Sequence, residues 1–253
     1  MHELNEQTIV ITGASSGIGA ATARLLAERG ARVVLGARRE GKLKELCSTI
    51  RAAGGAAELV VTDMQQPDQV ERLVDTAVDR FGRLDAVVNN AAMGTIRLIA
   101  EGRVDEWRAT LETNVIGTLV ACRAALRHML PHGSGTILNV TSASAHEAWP
   151  YLAVYAASKA AVHTLSDGLR AEVGGRGVRV MTIEVHNVAG TDFASTFDPT
   201  VLPAAVQRWV DLGLLSRESP MIAADDVARA IAFQLSQPDP VSVHHVSVRS
   251  RAN

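Results

Sequence analysis

The sequence predicts an α/β fold, a single-domain doubly wound, seven-stranded parallel sheet with helices on both faces, spanning residues 1–253. Two observations predict it. Short apolar and β-branched runs alternate along almost the whole chain with longer segments whose apolar residues recur at helical spacing. Crossovers between parallel strands are right-handed, which places helices on both sides of the sheet. The 253 residues, 47% of them hydrophobic, are enough for one well-buried core.

Seven short apolar runs are predicted as strands, at residues 8–12, 32–36, 58–61, 86–89, 136–140, 178–184 and 243–248. The helices are predicted at residues 17–29, 42–53, 67–81, 106–130, 154–173, 202–215 and 225–235. Glycines close several of these helices, and Pro67 suits the first turn of its own. The irregular stretch at about 186–220 is predicted to supply a substrate-binding loop and helix.

A glycine-rich loop joins the first strand to the first helix, at the edge of the sheet where ligands of such folds bind. It reads Thr12-Gly13-Ala14-Ser15-Ser16-Gly17-Ile18-Gly19. Its glycines allow close approach to a pyrophosphate, and the helix N-terminus offers free N–H groups. A tight turn without a ligand is the alternative, but the strand–loop–helix setting favours a dinucleotide. The predicted contacts are Gly13, Ser15, Ser16, Gly17, Ile18 and Gly19.

The ends of the next strands indicate which dinucleotide is bound. Ala37 stands where NAD-binding proteins usually carry an acid, and Arg38 and Arg39 follow it. Guanidinium groups match a 2′-phosphate, so the pair favours NADP(H) over a merely solvated surface pair. Polar turns after the third and fourth strands are predicted to lie along the adenosine, although turn chemistry alone would also explain them. These residues are Asp63, Met64, Asn90, Ala91 and Ala92.

Tyr155 and Lys159 are the candidate catalytic pair. Their spacing of four places both side chains on one face of a helix, one turn apart. An ammonium beside a phenol favours the phenolate, which predicts a tyrosine pKa lowered toward neutrality and suited to proton transfer. The hydroxyl of Ser142 is placed to hold the oxygen that receives the proton. By itself the spacing is a weak signal, because most chance occurrences of it lie on an ordinary helix surface.

Composition and charge exclude several classes of function. The formal net charge is −2 and no basic block occurs, which argues against nucleic acid and anionic membranes as partners. No run approaches the roughly 18 apolar residues of a membrane span, and the N-terminus lacks signal-peptide features. Cys47 and Cys122 are predicted to be reduced thiols, and no cluster has metal-ligand spacing, so no metal is expected. A cytoplasmic location is therefore expected.

Together these motifs resemble the short-chain dehydrogenase/reductase family, in its NADP-preferring group. The Thr12–Gly19 loop, the Asn89–Ala92 turn, Asn114, Ser142 and the Tyr155–Lys159 pair match that family in order and spacing. The resemblance extends from about Glu6 to Val248. It implies a Rossmann fold and an oxidoreductase that interconverts a small-molecule carbonyl compound and its alcohol. It also implies a homo-oligomer, a tetramer or a dimer, packed through the helices at 106–130 and 154–173.

The resemblance further implies roles for individual residues. Tyr155 would be the general acid in reduction and the base in oxidation, and Lys159 would hold the nicotinamide ribose and lower the pKa of the tyrosine. Ser142 would orient the substrate carbonyl. Asn114 would anchor a water that relays protons from Lys159. Val188 and Thr191 would flank the nicotinamide.

The chain departs from the family pattern in two places. Ala92 replaces a glycine, which is a small change. Val185-His186 stands where the family has Pro-Gly, and Thr191 falls one position late. Three interpretations remain open: drift in a working reductase, a role for His186 in substrate binding or acid–base chemistry, and a weakened nicotinamide site. Because glycine's permissiveness is lost at 186, altered turn angles are expected.

The substrate is expected to be an apolar, medium-sized carbonyl compound. Trp149 and Tyr151 are predicted to form an aromatic wall. An apolar lid is predicted from Phe193, Phe197, Leu202, Val206, Trp209, Leu212 and Leu215, although the helix at 202–215 needs an apolar face in any case. The alternatives to a reductase are a non-redox cyclase or dehydratase on the same fold and a cofactor-binding protein without turnover.

Overall fold

The computed structural model describes residues 4–147, 149–215 and 221–251. Its main feature is the predicted sheet: seven parallel strands in the order β3-β2-β1-β4-β5-β6-β9. The strands of this sheet are Thr8–Thr12 (β1), Arg32–Ala37 (β2), Ala56–Val61 (β3), Ala86–Asn89 (β4), Gly135–Ser142 (β5), Val178–Val185 (β6) and His245–Val248 (β9). Two short strands, Val188–Ala189 (β7) and Ile222–Ala223 (β8), pair separately. The predicted fold class is confirmed.

Helices cover both faces of the sheet. They are Gly17–Glu28 (α1), Glu40–Ala52 (α2), Pro67–Phe81 (α3), Val104–Leu111 (α4), Gly117–His132 (α5), Ala153–Glu172 (α6), Leu202–Asp211 (α7) and Ala224–Leu235 (α8). Within the described residues, no helix has both the length and the apolar character that crossing a membrane requires.

The core has two halves, one on each side of the sheet. All five residues of β1 are buried, as a strand covered on both faces requires. Successive side chains of a strand point to opposite faces, so Ile9 and Ile11 pack in the cluster beneath α1, α2 and α8. Val10, between them, packs in the cluster beneath α3 and α5. The continuous apolar run in the sequence is therefore the signature of a central parallel strand.

The predicted helix at 106–130 is interrupted, which the sequence pattern did not indicate. A π-helical turn at Glu112–Ile116 separates α4 from α5, and it carries Asn114. The helix also passes Pro131 and ends at His132, and the following residue, Gly133, adopts a left-handed φ of 61°. A proline is tolerated there because it lies in the last turn, where a single backbone hydrogen bond is lost. Apolar periodicity alone cannot distinguish a continuous helix from one with a π turn.

The helix predicted at 202–215 is shorter than expected. It ends at Asp211, and Gly213 has a φ of 71°, which continues no right-handed helix. Leu212, one of the predicted lid residues, is consequently exposed. Residues 216–220 of the predicted substrate-binding segment lie outside the described residues. The two-residue strands β7 and β8 were missed because they are too short to show a periodicity.

Candidate active site

The carboxyl ends of the parallel strands surround a cleft of about 680 Å³. Almost every residue predicted for the site lines it: Gly13, Ser15, Ser16, Gly17, Ile18, Arg38, Arg39, Asp63, Met64, Asn90, Ala91, Ala92, Ser142, Trp149, Tyr155, Lys159, His186, Val188, Thr191 and Phe193. Gly19 and Asn114 do not line it. The cleft unites residues up to 180 positions apart in the chain, from Gly13 to Phe193, because parallel strands bring their carboxyl ends to one edge.

The glycine-rich loop is packed against the turn that follows β4. Gly13 has a φ of 67°, and a Cβ at this position would lie 2.8 Å from the Cα of Ala91. Thr12 Oγ1 accepts hydrogen bonds of 3.0 Å from the backbone N–H groups of Asn90 and Ala91. A Cβ on Gly19 would collide with the Gly13 carbonyl, so Gly19 serves loop packing and not the predicted contact surface.

The first turn of α1 is open toward the cleft. The helix begins at Gly17, and the side chain of the preceding residue, Ser16, makes no capping hydrogen bond to it. Its N-terminal N–H groups therefore keep their capacity to bind an anion, as the loop pattern predicted. The glycine cradle and these amides together fit a pyrophosphate.

Arg39 lies across the glycine-rich loop. Its Nη2 donates hydrogen bonds to Ser15 Oγ at 2.9 Å and Ser16 Oγ at 2.7 Å, and its Nε donates to Ser15 Oγ at 3.1 Å. Its Nη1 forms a 2.6 Å ion pair with Asp192. The hydrogen bond from Arg39 holds the pKa of the Asp192 carboxyl below its usual value. Arg39 is thus part of the cleft wall and not an isolated surface charge.

Tyr155 and Lys159 lie one helical turn apart on α6 and are both buried. The Lys159 ammonium donates a 2.8 Å hydrogen bond to the Val140 carbonyl and lies 5.9 Å from the centroid of the Tyr155 ring. Burial lowers the pKa of Lys159 to about 8. Ser142 approaches the tyrosine hydroxyl from the end of β5. The predicted convergence of these three side chains is therefore present.

The expected lowering of the Tyr155 pKa is wrong for this structure. Burial raises the pKa of Tyr155 to about 12, and the interaction with Ser142 opposes this only partly. Two features explain the difference. The phenol is desolvated more strongly than the spacing suggested, and the ammonium of Lys159 is directed toward Val140. The sequence predicted the neighbours correctly but not their degree of burial.

Ser144 extends the hydroxyl network and was not predicted. Its Oγ donates a 3.0 Å hydrogen bond to Ser142 Oγ, and its backbone N–H donates to the same oxygen at 3.3 Å. Ser142 Oγ is thus held in place from its own turn. The signal available in the sequence was a second serine two residues after the first.

Asn114 clamps two segments together next to the cleft. Its Nδ2 donates to the Met93 carbonyl at 2.8 Å and to Ser158 Oγ at 2.9 Å, and its Oδ1 accepts from the Met93 N–H at 2.9 Å. The carboxamide therefore ties the turn after β4 to α6, one residue before Lys159. In this structure the side chain positions the site, and the water-anchoring role stays a prediction.

His186 is the main departure from the family pattern on the nicotinamide side of the cleft. Its ring is 9% exposed, and its Nε2 lies 3.2 Å from Glu184 Oε1. Its backbone N–H donates to the Val248 carbonyl at 3.2 Å, which continues the pairing of β6 with β9. Among the described non-glycine residues, positive φ occurs at Glu6 and Tyr151, so His186 needs no left-handed turn. Glu184 was missed, although i and i+2 share one face of a strand.

The predicted lid divides into a lining layer and a backing layer. Phe193 lines the cleft, and its ring centroid lies 4.7 Å from that of Tyr155. Trp149 also lines the cleft, whereas Tyr151 does not line it and packs in the apolar cluster next to it. The other predicted lid residues with apolar contacts form the backing cluster: Phe197, Leu202, Val206, Trp209 and Leu215. Leu212 belongs to neither layer. Most of α7 therefore contributes packing and not contact surface.

Comparisons with known proteins agree with this architecture. A family model described as short chain dehydrogenase matches residues 7–201. An uncharacterized oxidoreductase of Staphylococcus aureus (strain MRSA252) is 34% identical over 249 residues, covering 98% of this chain and 99% of the relative.

Two solved structures show the same fold. A gluconate 5-dehydrogenase from Burkholderia cenocepacia J2315, in complex with NADP and tartrate, is 29% identical with a TM-score of 0.84, covering 97% of this chain and 94% of that one. An alcohol dehydrogenase from the archaeon Thermococcus sibiricus, complexed with 5-hydroxy-NADP, is 27% identical with a TM-score of 0.84, covering 98% of each chain.

The parallel sheet and the cleft at its carboxyl edge define a Rossmann-type fold. With the family model and the relative above, the chain belongs to the short-chain dehydrogenase family.

Proposed function

We propose that this protein reduces a ketone or aldehyde to an alcohol with NADPH, or catalyses the reverse oxidation. One observation carries the proposal: Tyr155, Ser142 and Lys159 converge in the same cleft as an open glycine-rich phosphate cradle. Two neighbouring structures, named as dehydrogenases and complexed with NADP or 5-hydroxy-NADP, support the same chemistry.

The residues present fit an NADP-type dinucleotide. The loop from Gly13 to Ile18 would hold the pyrophosphate, because glycine packing and free amides are both in place. Arg39, with Arg38 beside it, would bind the 2′-phosphate. The adenosine would lie along Asp63, Met64, Asn90, Ala91 and Ala92, and the nicotinamide half along Lys159, Val188 and Thr191. When bound, the nicotinamide would supply the hydride.

The proton is supplied by Tyr155. A pKa of about 12 keeps its hydroxyl protonated at neutral pH, so the proton that the reductive direction needs is present. Ser142, held by Ser144, is placed to hydrogen-bond the same substrate oxygen. Trp149 and Phe193 enclose that oxygen in an apolar wall and limit access of water. Acting as a base in oxidation would require the pKa of Tyr155 to fall.

The test is Tyr155→Phe, assayed by loss of NADPH absorbance over a panel of ketones and aldehydes. We expect a loss of about 10²–10⁴-fold in kcat, the usual contribution of a positioned acid, with NADPH binding retained. Tyr151→Phe is the matched control, because this second tyrosine does not line the cleft, and it should keep wild-type activity. A fully active Tyr155→Phe variant would show that the proton donor has been assigned wrongly.

A non-redox reaction, such as a cyclisation or dehydration, is the second candidate. The Glu184–His186 pair favours it, because a carboxylate–imidazole pair handles protons without a hydride carrier. Tight NADPH binding with no oxidation across the carbonyl panel would support this candidate. The assembled Tyr155, Ser142 and Lys159 argue against a third possibility, a binding protein without turnover.

Assembly and location complete the proposal. Exposed apolar side chains on and next to α4 and α5, namely Leu111, Ile116 and Leu119, support packing of a homo-oligomer, a tetramer or a dimer, through this face. Cys47 and Cys122 are free and buried, which is compatible with the cytoplasm as the compartment. The segment at about 186–220 would supply substrate contacts through Phe193 and His186.

A further inference from the structure

His186 gives the substrate half of the cleft a polar corner. The residue directly follows β6, and it lines the same cleft as Ser142 and Tyr155. Apolar side chains, among them Met93, Leu152 and Phe193, line this cleft together with the hydroxyl groups of Ser142 and Ser144. A histidine in such a cleft needs a partner for each ring nitrogen that faces away from water.

One nitrogen of the ring has its partner within the protein. Nε2 lies 3.2 Å from Glu184 Oε1, and Glu184 itself is buried. Burial alone would raise the pKa of Glu184. Hydrogen bonds from Ser247 and His186, with the nearby His146, outweigh it and hold this pKa below its usual value. Glu184 is therefore a carboxylate that can only accept, so Nε2 carries the hydrogen.

The other nitrogen is open to a ligand. Nδ1 has no hydrogen-bond partner among the described residues. Nor is it one of the polar atoms there that are both fully buried and unpartnered, so the atom keeps some accessible surface. With the hydrogen on Nε2, the neutral ring offers a lone pair at Nδ1. A protonated ring would instead donate from Nδ1. A hydroxyl group satisfies either state, since it both donates and accepts.

We propose that the substrate carries a hydroxyl group on the carbon next to the reacting carbonyl, and that this hydroxyl hydrogen-bonds Nδ1 of His186. The substrate class is thus an α-hydroxy ketone or aldehyde with an apolar remainder that packs on Trp149 and Phe193. This inference rests on the proposed reductase and names its substrate class. Glu184 is a positioning residue that orients the ring and fixes its tautomer.

A carboxylate at the same place is disfavoured by charge. It would need a protonated His186 and would lie on the far side of one imidazole from the ionised Glu184. The nearby ammonium of Lys159 is already directed to the Val140 carbonyl. An α-keto acid should therefore be a poorer substrate than the corresponding hydroxy ketone.

The experiment compares three carbonyl compounds of one skeleton: acetophenone, α-hydroxyacetophenone and phenylglyoxylate. We expect wild type to prefer the hydroxy ketone in kcat/KM. In His186→Leu the ratio of hydroxy ketone to acetophenone should fall about 5- to 10-fold, the value of one hydrogen bond. The change in ratio between variants cancels the intrinsic reactivity of the compounds. His186→Gln, whose amide oxygen can still accept, should restore part of the preference.

His146→Gln is the matched control. His146 approaches the other oxygen of Glu184 at 3.5 Å but does not line the cleft, so its loss should leave the substrate ratio unchanged. An unchanged ratio in His186→Leu, or phenylglyoxylate as the best substrate, would overturn the proposal. His186→Gln also serves as the readout if the leucine variant does not fold.

A binding measurement separates this inference from the proposed reductase. Saturation-transfer NMR of the NADPH complex reports the binding of α-hydroxyacetophenone and acetophenone without turnover. Stronger binding of the hydroxy ketone, lost in His186→Leu, would support the hydroxyl site even if no NADPH were oxidised. Equal binding of both ketones would reject the site, whatever the activity.

Discussion

The two ends of the cleft each hold one key cation, and the two are built in opposite ways. Arg39, at the phosphate end, is 47% exposed and makes hydrogen bonds to two serines and an ion pair to Asp192. Lys159, at the nicotinamide end, is 4% exposed and donates to one backbone carbonyl. The guanidinium at the phosphate end can exchange its protein partner for a ligand, whereas the ammonium at the nicotinamide end is buried and held in place.

The difference has an energetic meaning. An exposed ion pair contributes about 0–1 kcal/mol, so the partner of Arg39 can be exchanged for a phosphate with little loss. A buried ammonium is destabilised by desolvation, which is why the pKa of Lys159 falls to about 8. The phosphate end is therefore suited to binding a phosphate group. The nicotinamide end is suited to chemistry that needs a group whose pKa lies near neutrality.

The largest expected effect comes from the buried cation. Lys159→Met keeps the length of the side chain and removes its charge. We expect kcat to fall about 10²–10³-fold, as for other lost electrostatic groups, with the fold retained. Carbonyl reduction and circular dichroism would be measured together. Wild-type activity in this variant would show that the ammonium does not assist Tyr155.

The same substitution tests the cost of burying Lys159 through the pH dependence of stability. The folded-state pKa, about 8, lies below the ordinary lysine value of 10.5, so the group destabilises the folded protein fully below pH 8 and progressively less above it. The unfolding free energy of wild type should therefore rise relative to Lys159→Met by about 2 kcal/mol between about pH 7 and about pH 10.

Urea unfolding at the two pH values measures this difference. Lys44→Met is the control, because Lys44 is exposed on α2 and pairs with Glu40. Its difference from wild type should stay constant over the same range. A constant difference for Lys159→Met would mean that its ammonium is not desolvated.

Arg39→Ala tests the role of Arg39 at the phosphate end of the cleft. We expect NADPH to bind about 10-fold more weakly, because a charge-assisted contact to the 2′-phosphate is lost, while NADH binding stays unchanged. Nucleotide fluorescence titration measures both. Lys42→Ala, which removes a nearby charge of α2, should change NADPH binding less than about twofold. Equal weakening of NADH and NADPH would place Arg39 on the pyrophosphate instead.

The smallest effect is expected at Asp192. Its carboxylate occupies Arg39 Nη1, where it competes with a 2′-phosphate. Asp192→Asn should strengthen NADPH binding about 2- to 5-fold, the range of an exposed pair, without changing NADH binding. Asp198→Asn, in the same segment but paired with Arg97, should have no effect. Weaker NADPH binding in Asp192→Asn would show that the carboxylate orients Arg39 and does not compete.

The sequence predicted the fold class and almost all of the named residues that line the cleft. Strand–helix alternation depends on local periodicity, and the motifs lie at strand ends that a parallel sheet must bring together. The errors have physical causes. The π turn at Glu112–Ile116 keeps an apolar helical pattern, and the pKa of Tyr155 depends on desolvation by distant elements such as Phe193. Partners such as Ser144, Asp192 and Glu184 form no motif.

The sequence by itself therefore determined the sheet, the glycine cradle and the spacing of Tyr155 and Lys159, because all three follow from local periodicity and backbone geometry. Only the tertiary structure decided what surrounds each charged or titratable group. It buried Lys159, held Arg39 against Asp192 and set His186 on the carboxylate of Glu184. Desolvation and electrostatic pairing depend on atoms from several elements at once, and no single segment of the chain encodes them.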